Sequence, residues 1–262
     1  MSSQSRGGRT NCCTRRAKTH AREQWRSASQ SAPLRNPVVN AKLAVFGFSL
    51  LTGLLSPASL AQLPGSRVPG GCDVPVSARA SDVGCYLTAT EVLSALPPGD
   101  LFWHLYEYPS GAAADLEKPP SFGTVTESFG KVWLYVIAPA EWSPSSGKRV
   151  AVIGPLRPSP AEQYTARYME AMFPPGMQTA VHTHSGPEAW YILSGVQCLQ
   201  TPEGQSITRA GEGAVVPMGP PMVLTGMGSE MRRSVVLVVH DTSQPWMTIA
   251  TSWKPAEPCS LD

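Results

Sequence analysis

His182 and His184 stand one residue apart, and Glu188 follows within "GMQTAVHTHSGPEAWYILSG", residues 176–195. In a β-strand alternate side chains share a face, so the two imidazoles project together, and in a regular strand Gln178 and Ala180 project with them. "SGP" at 185–187 then turns the chain, and Glu188 opens the next strand. Two neutral nitrogens and a carboxylate oxygen converging from one side form a set that divalent transition metals accept, leaving positions for water, dioxygen or substrate. Iron or manganese in such a shell suits oxygenase chemistry. Zinc or nickel would act as a Lewis acid for isomerisation or hydrolysis. Gln178 is placed to serve as a hydrogen-bonding pocket residue behind the ligands. Spacing ties no general acid or base to the cluster.

The elements that must position these residues are short strands. "LFWHLYEY", "TVTESF", "VWLYVIA", "VAVIGPL", "YTARYMEAMF", "AWYILSG", "QSITRAG", "AVVPM", "SVVLVVHD" and "WMTIATSW" have period two or are β-rich runs between Gly/Pro breaks. Many short strands at close spacing predict one antiparallel β domain, a sandwich or closed barrel, over residues 101–262. Residues 62–100 read as an irregular lead-in, packed on or added to the sheet. It contains a short helix that begins at a Thr88–Glu91 capping box and is stopped by Pro97 and Pro98.

The charge is unevenly spread. Residues 1–61 carry nine Lys/Arg against one Asp/Glu, and the rest carries twelve against eighteen. The mildly acidic body with scattered Lys/Arg excludes a basic nucleic-acid binder. In the leader, a basic stretch to Lys42 precedes the uncharged "LAVFGFSLLTGLL", Leu43–Leu55, and then the small-residue "SPASLAQ". That order predicts a secretory signal peptide with Ser59 and Ala61 at the −3 and −1 positions of the cleavage site. The apolar run falls short of the ~20 residues of a spanning helix, so no stable membrane anchor is expected after cleavage. The mature protein would be secreted or periplasmic. Two readings account for the unusual length of the basic stretch, an extended leader or initiation near Val38 or Val39.

Export gives the cysteines a meaning. Cys12 and Cys13 fall in the leader, leaving Cys72, Cys85, Cys198 and Cys259. Four cysteines in an oxidising compartment suggest two disulfides, with three pairings open. Cys72 with Cys85 is the easiest to defend, because both lie in the Pro/Gly-rich "GCDVPVSARASDVGC", which has too few apolar residues to hold itself in place. Cys198, inside "VQCLQ", is open between a bridge and a small buried thiol.

The spacing Gly176, His182, His184, Glu188, Gly195 resembles the first conserved motif of the cupins, with every signature position filled. The resemblance implies a double-stranded β-helix, a small jelly-roll barrel holding a metal in its mouth, and a homodimer formed through sheet edges. The second cupin motif is altered. Gly211, Pro217 and Gly219 stand at their places in "GEGAVVPMGPPM", but Met222 takes the place of the histidine that completes the metal shell, and Gly226 that of an asparagine. Met222 is thus expected to face the pocket. Either three protein ligands hold the metal, or binding is weakened or lost.

Other residues have plainer readings. His240 could swing in as a substitute ligand, but is expected to be a surface histidine or one behind the ligands. His104 is expected to be a packed or exposed strand residue, and Trp190 a core aromatic. The nine methionines fit adaptable packing better than a copper(I) site. Two functions follow. One is an exported metal-dependent enzyme acting on a small molecule, an oxidoreductase or isomerase. The other is a non-catalytic small-ligand-binding protein with a structural or lost metal.

Overall fold

A computed structural model describes Val68 and residues 71–261; the leader and its predicted signal peptide lie outside the described residues. Fourteen strands follow in order: β1 (Gly84–Leu93), β2 (Leu101–Tyr108), β3 (Gly123–Ser128), β4 (Lys131–Ala138), β5 (Lys148–Leu156), β6 (Tyr164–Phe173), β7 (His182–His184), β8 (Glu188–Ser194), β9 (Val196–Thr201), β10 (Gly204–Arg209), β11 (Gly213–Val216), β12 (Val223–Met227), β13 (Arg232–Asp241) and β14 (Met247–Ile249). Among the described residues the one α-helix is the five-residue α1 (Gly111–Asp115), capped by Ser110, whose hydroxyl accepts from the Ala113 amide.

The strands pair antiparallel in four sheets: β1-β6-β13-β8-β11, β10-β9-β12, β14-β7 and β3-β4-β2-β5. The five-stranded sheet is central, and its alternating side chains serve two different interiors. Ala166, Tyr168, Ala189, Val235, Leu237 and Val239 face Trp103, Trp133, Tyr135 and Ile137 of the four-stranded sheet in one core. The residues between them, Met169, Ala171, Phe173, Trp190, Ile192, Val236 and Val238, pack with Leu199, Met222 and Leu224 of the opposite wall. A strand with both faces covered must be apolar throughout. That is why "SVVLVV" in β13 does not alternate. The second interior, closed by β7, β9, β10, β12 and β14, is the double-stranded β-helix.

Two expectations for the N-terminal part are corrected. The predicted helix from Thr88 is absent, and residues 84–93 form β1, which adds to the sheet by pairing with β6. Its β-branched Thr88, Thr90 and Val92 suit a strand, and nine residue pairs along β6 outweigh one capping box. A register shift between Leu87 and Ala89 turns the strand. Cys85 and Leu87 before it face the β-helix interior, whereas Ala89 and Leu93 after it face the aromatic core. The irregular lead-in therefore ends at β1. The second correction concerns residues 101–262, which do not form a single barrel. β2–β5 make a separate sheet laid against the back of the β-helix. Glu170, fully buried on β6, joins the two. It accepts from Ser128 Oγ (2.8 Å) and the Phe129 amide (3.1 Å) in the β3–β4 turn and pairs with Arg79.

Both disulfides form, Cys72–Cys85 and Cys198–Cys259. Cys198 is thus a bridge that fastens the C-terminal tail to β9, not a free thiol. No helix among the described residues is long and apolar enough to cross a membrane.

Candidate metal centre

β7 is only three residues long, and its ends explain how it holds two imidazoles. On one side it pairs with β14, His182 opposite Ile249 and His184 opposite Met247. On the other, His182 and Met222 exchange backbone hydrogen bonds of 3.1 and 2.8 Å. The turn into β8 needs Gly186, because a Cβ there would overlap the Val239 carbonyl oxygen on β13. At the far end of β8, Gly195 has φ +73, and a Cβ would lie 2.8 Å from Arg232 Cα. These glycines let β8 pass close beside β13, and that passage sets Glu188, opposite Val238, next to the histidines.

His182, His184 and Glu188 are all buried, and one ligand atom from each lies within 4.8 Å of the others. Both imidazoles are oriented by main-chain carbonyls. His182 Nδ1 donates to Ala180 O (2.8 Å), and His184 Nδ1 donates to Trp246 O (2.9 Å). A carbonyl can only accept, so each Nδ1 carries a proton, and in the neutral imidazole it is Nε2 that keeps the lone pair. Trp246 also stacks on His184, with centroids 5.4 Å apart. His184 Nε2 lies 3.2 Å from Glu188 Oε2, but these buried atoms lack hydrogen-bond geometry and have no other partner. Buried polar atoms without partners are costly. Two lone-pair nitrogens and a carboxylate oxygen left facing one point are what a divalent cation satisfies, so the residues fit a metal.

At His182 and Glu188 the electrostatics point the same way. Burial and the neighbouring His184 lower the His182 pKa, which favours the neutral, ligating imidazole. Burial is the largest single influence on His184 and lowers its pKa, but Glu188 and the Trp246 carbonyl together outweigh it and the net shift is upward. Burial raises the Glu188 pKa, and the two histidines and Arg232 reverse this, so the carboxyl is held below its ordinary value and stays ionised.

The cluster opens into a cavity of about 640 Å³. Its wall is mostly apolar, including Met169, Ala171, Phe173, Leu224, Val236 and Trp246, with the Cys72–Cys85 bridge and Asp73 along one side. Asp73 is held by Arg167 at 2.6 Å, and that guanidinium lies over the Trp246 ring, 4.6 Å from its centroid. The structure therefore brings together all three predicted ligands. Gln178 is not placed with them: it is exposed, and Thr179 and Ala180 line the cavity instead. The chain leaves strand geometry before β7, so the alternation that would carry Gln178 inward breaks down. Met222 is buried beside His182 in the apolar core but does not line the cavity. Gly226 sits where a Cβ would press on the Phe173 and Pro174 carbonyls, at 3.0 and 2.8 Å, which excludes an asparagine on packing grounds. His240 is buried on β13 and donates to its neighbour's carbonyl, Asp241 O, at 2.8 Å. His104 is buried against Trp142 and donates to Pro139 O, far from the cluster in the four-stranded sheet.

One residue of the cavity wall carries a charge that the sequence pattern did not place there. Arg232 is fully buried, lines the same cavity, and stacks on Phe173 with Cζ 3.9 Å from the ring centroid.

No protein-family model matches the chain, and no curated protein matches it. Solved structures with a likeness include a cupin superfamily protein of Desulfitobacterium hafniense, 14% identical over 29% of this chain and 68% of that one, TM-score 0.27. A protein of Klebsiella pneumoniae with a double-stranded β-helix domain is 20% identical over 33% of this chain and 76% of its own, TM-score 0.30. The DMSP lyase DddQ of Ruegeria pomeroyi is 18% identical over 32% of this chain and 42% of its own, TM-score 0.29. None of these likenesses carries a function to this chain, and the chemistry is read from the site itself.

Proposed function

We propose that the mature protein is an exported cupin-type metalloprotein that acts on a small molecule as a metal-dependent enzyme. His182, His184 and Glu188 hold one divalent transition metal, iron, manganese, zinc or nickel. The observation that carries this is the pair of buried imidazoles whose Nδ1 protons are fixed on Ala180 and Trp246 carbonyls, leaving both Nε2 lone pairs beside the Glu188 carboxylate. When bound, the metal supplies a Lewis acid or a dioxygen-binding centre, depending on its identity.

The chain's own residues provide the rest. The main-chain carbonyls set the imidazole tautomers, and the apolar wall excludes water and receives the ligand's body. Besides the three ligands, the ionisable side chains lining the cavity are Asp73 and Arg232. Asp73 is neutralised by Arg167. Export rests on the signal-like leader together with two disulfides in the described residues.

The experiment is metal analysis by mass spectrometry on protein recovered after export. One divalent ion per chain, on a chain whose amino terminus begins at or near Gln62, is expected. Recovery of a folded, metal-free protein that takes up no added divalent ion would favour the second reading, a non-catalytic ligand-binding protein. Met222 at the fourth ligand's place is the observation on that side.

A further inference from the structure

We infer that Arg232 is a carboxylate-binding residue, and that the cavity takes a small monocarboxylate whose apolar body lies between this guanidinium and the His182–His184–Glu188 cluster. The inference rests on the proposed small-molecule site and names the ligand's chemical class.

Three observations converge on it. First, Arg232 is 1% exposed yet largely unpartnered. Its Nη1 donates to Ser234 Oγ at 2.5 Å, while Nε and Nη2 have no hydrogen-bond partner. A buried guanidinium with unmet donors is costly unless something supplies acceptors. Second, the free donors are the right two. Nε and Nη2 form one side of the planar guanidinium and present parallel N–H groups, the arrangement that a carboxylate meets with both oxygens. Ser234 on Nη1 and the Phe173 ring against the guanidinium face fix its plane, so that edge is pre-set.

Third, the charge is balanced only without a metal. Glu188, whose charge is felt at Arg232, makes no hydrogen bond to it and stands 3.2 Å from His184. A divalent ion on Glu188 would leave the cavity with net positive charge, since Asp73 is already matched by Arg167. The interior is therefore built for an anionic ligand. Along β13, Arg232 and Val236 line the cavity and Val238 stands opposite Glu188. The guanidinium and the cluster thus mark two places on one wall, with Met169, Leu224 and Val236 offering apolar surface. A carboxylate at Arg232 would orient the remainder of the molecule toward the metal.

The test uses the mature, disulfide-bonded protein, zinc-loaded and chelator-stripped, with two probes of equal shape, 3-phenylpropanoate and its neutral amide. Binding is followed by calorimetry. The parent is expected to prefer the carboxylate by roughly tenfold to a hundredfold, the range of a charge-assisted hydrogen-bond pair. Arg232→Gln should abolish that preference while keeping its zinc, and Arg232→Lys should keep part of it. If Arg232→Gln fails to fold, Arg232→Met, which retains packing against Phe173, is measured in its place. The parent's preference for propanoate over amide reports on the inference even without any variant. Equal binding of the two probes by the parent overturns it. So does a preference that survives in Arg232→Gln and disappears on stripping zinc, because the carboxylate would then sit on the metal. A preference that needs Arg232 in a protein that binds no metal supports the inference and refutes the metal reading.

Discussion

The two faces of the central sheet are made from alternate residues of the same strands, yet they serve opposite ends. On the face toward β2–β5, Trp103 and Tyr135 meet edge-on with centroids 5.2 Å apart, and Tyr135 and Tyr168 stack at 5.1 Å. Burial pushes the Tyr135 and Tyr168 hydroxyls well above their ordinary pKa, and the charge on that face is confined to Glu170, which is paired with Arg79 and held by the β3–β4 turn. On the other face the same strands present Glu188 and Arg232 to a cavity, with His182 and His184 opposite. One side fills its space with rings; the other leaves space and puts charge beside it. Both faces hold buried polar atoms without partners, Trp103 Nε1 and the Tyr135 hydroxyl on the closed one, but on the open face those of His184, Glu188 and Arg232 belong to residues that line a cavity.

The largest expected effect separates the faces directly. Trp103→Ala removes a fully buried ring and should cost about 3–5 kcal/mol of stability. Metal content per folded chain, measured by mass spectrometry, should not change. A parallel loss of metal would mean that the faces are not independent.

Next is the linkage of metal to stability. A saturating divalent ion at about a hundred times its dissociation constant should raise the parent's unfolding free energy by ~2.7 kcal/mol. Thermal melts of His182→Ala and His184→Ala should show almost none of that rise. An equal rise in the variants would place the ion elsewhere.

Met222 sharpens the boundary between site and core. In a hydrogen-bonded antiparallel pair the side chains stand on one side of the sheet, so Met222→His brings a third imidazole beside His182. Divalent affinity should tighten by about tenfold or more, ~1.4 kcal/mol. Met222→Leu conserves volume and should cost less than about 1.5 kcal/mol with affinity unchanged. Competition with a chromophoric chelator measures both. Loss of binding in the leucine variant, with copper(I) the preferred ion, would make the methionine a ligand.

The smallest effect concerns His104, in the four-stranded sheet. Burial lowers its pKa, with the hydrogen bond to Pro139 only partly opposing. The unfolded chain therefore takes up a proton at higher pH than the folded one. Above about pH 6.5 both forms are neutral and the residue adds no pH dependence. As pH falls below that value, stability is lost at up to ~1.4 kcal/mol per pH unit until the folded form also protonates. His104→Gln keeps a donor for Pro139 and should flatten the decline between pH 6.5 and 5 in denaturant titrations of metal-free protein. An unchanged slope would assign the acid sensitivity to other groups.

The ligand triad was legible because its geometry is short-range. Alternation in one strand and a tight turn bring His182, His184 and Glu188 together with no distant contact. The strands too were legible, from period and breaks. β1 was not, because pairing with β6, some eighty residues away, overrides the capping signal at Thr88. Gln178 was misplaced for the converse reason, since strand alternation was extended into residues that leave strand geometry. Arg232 was hidden by its setting. Its neighbour Arg233 looks identical in sequence, and only the register of β13 against β6, with Arg232 opposite Phe173, turns one inward. The signal lay in phase, because Arg232, Ser234, Val236 and Val238 alternate together, but a strand apolar on both faces does not say which phase faces the cavity.

The central claim is that three side chains make one metal site. The most direct measurement is calorimetric titration of the chelator-stripped mature protein with Zn²⁺ and Mn²⁺, alongside His182→Ala, His184→Ala and Glu188→Ala. The account predicts one site per chain in the parent, with affinity falling as pH drops and the imidazoles protonate, and loss of that site in each variant. Binding of equal strength and stoichiometry in the parent and all three variants would contradict it.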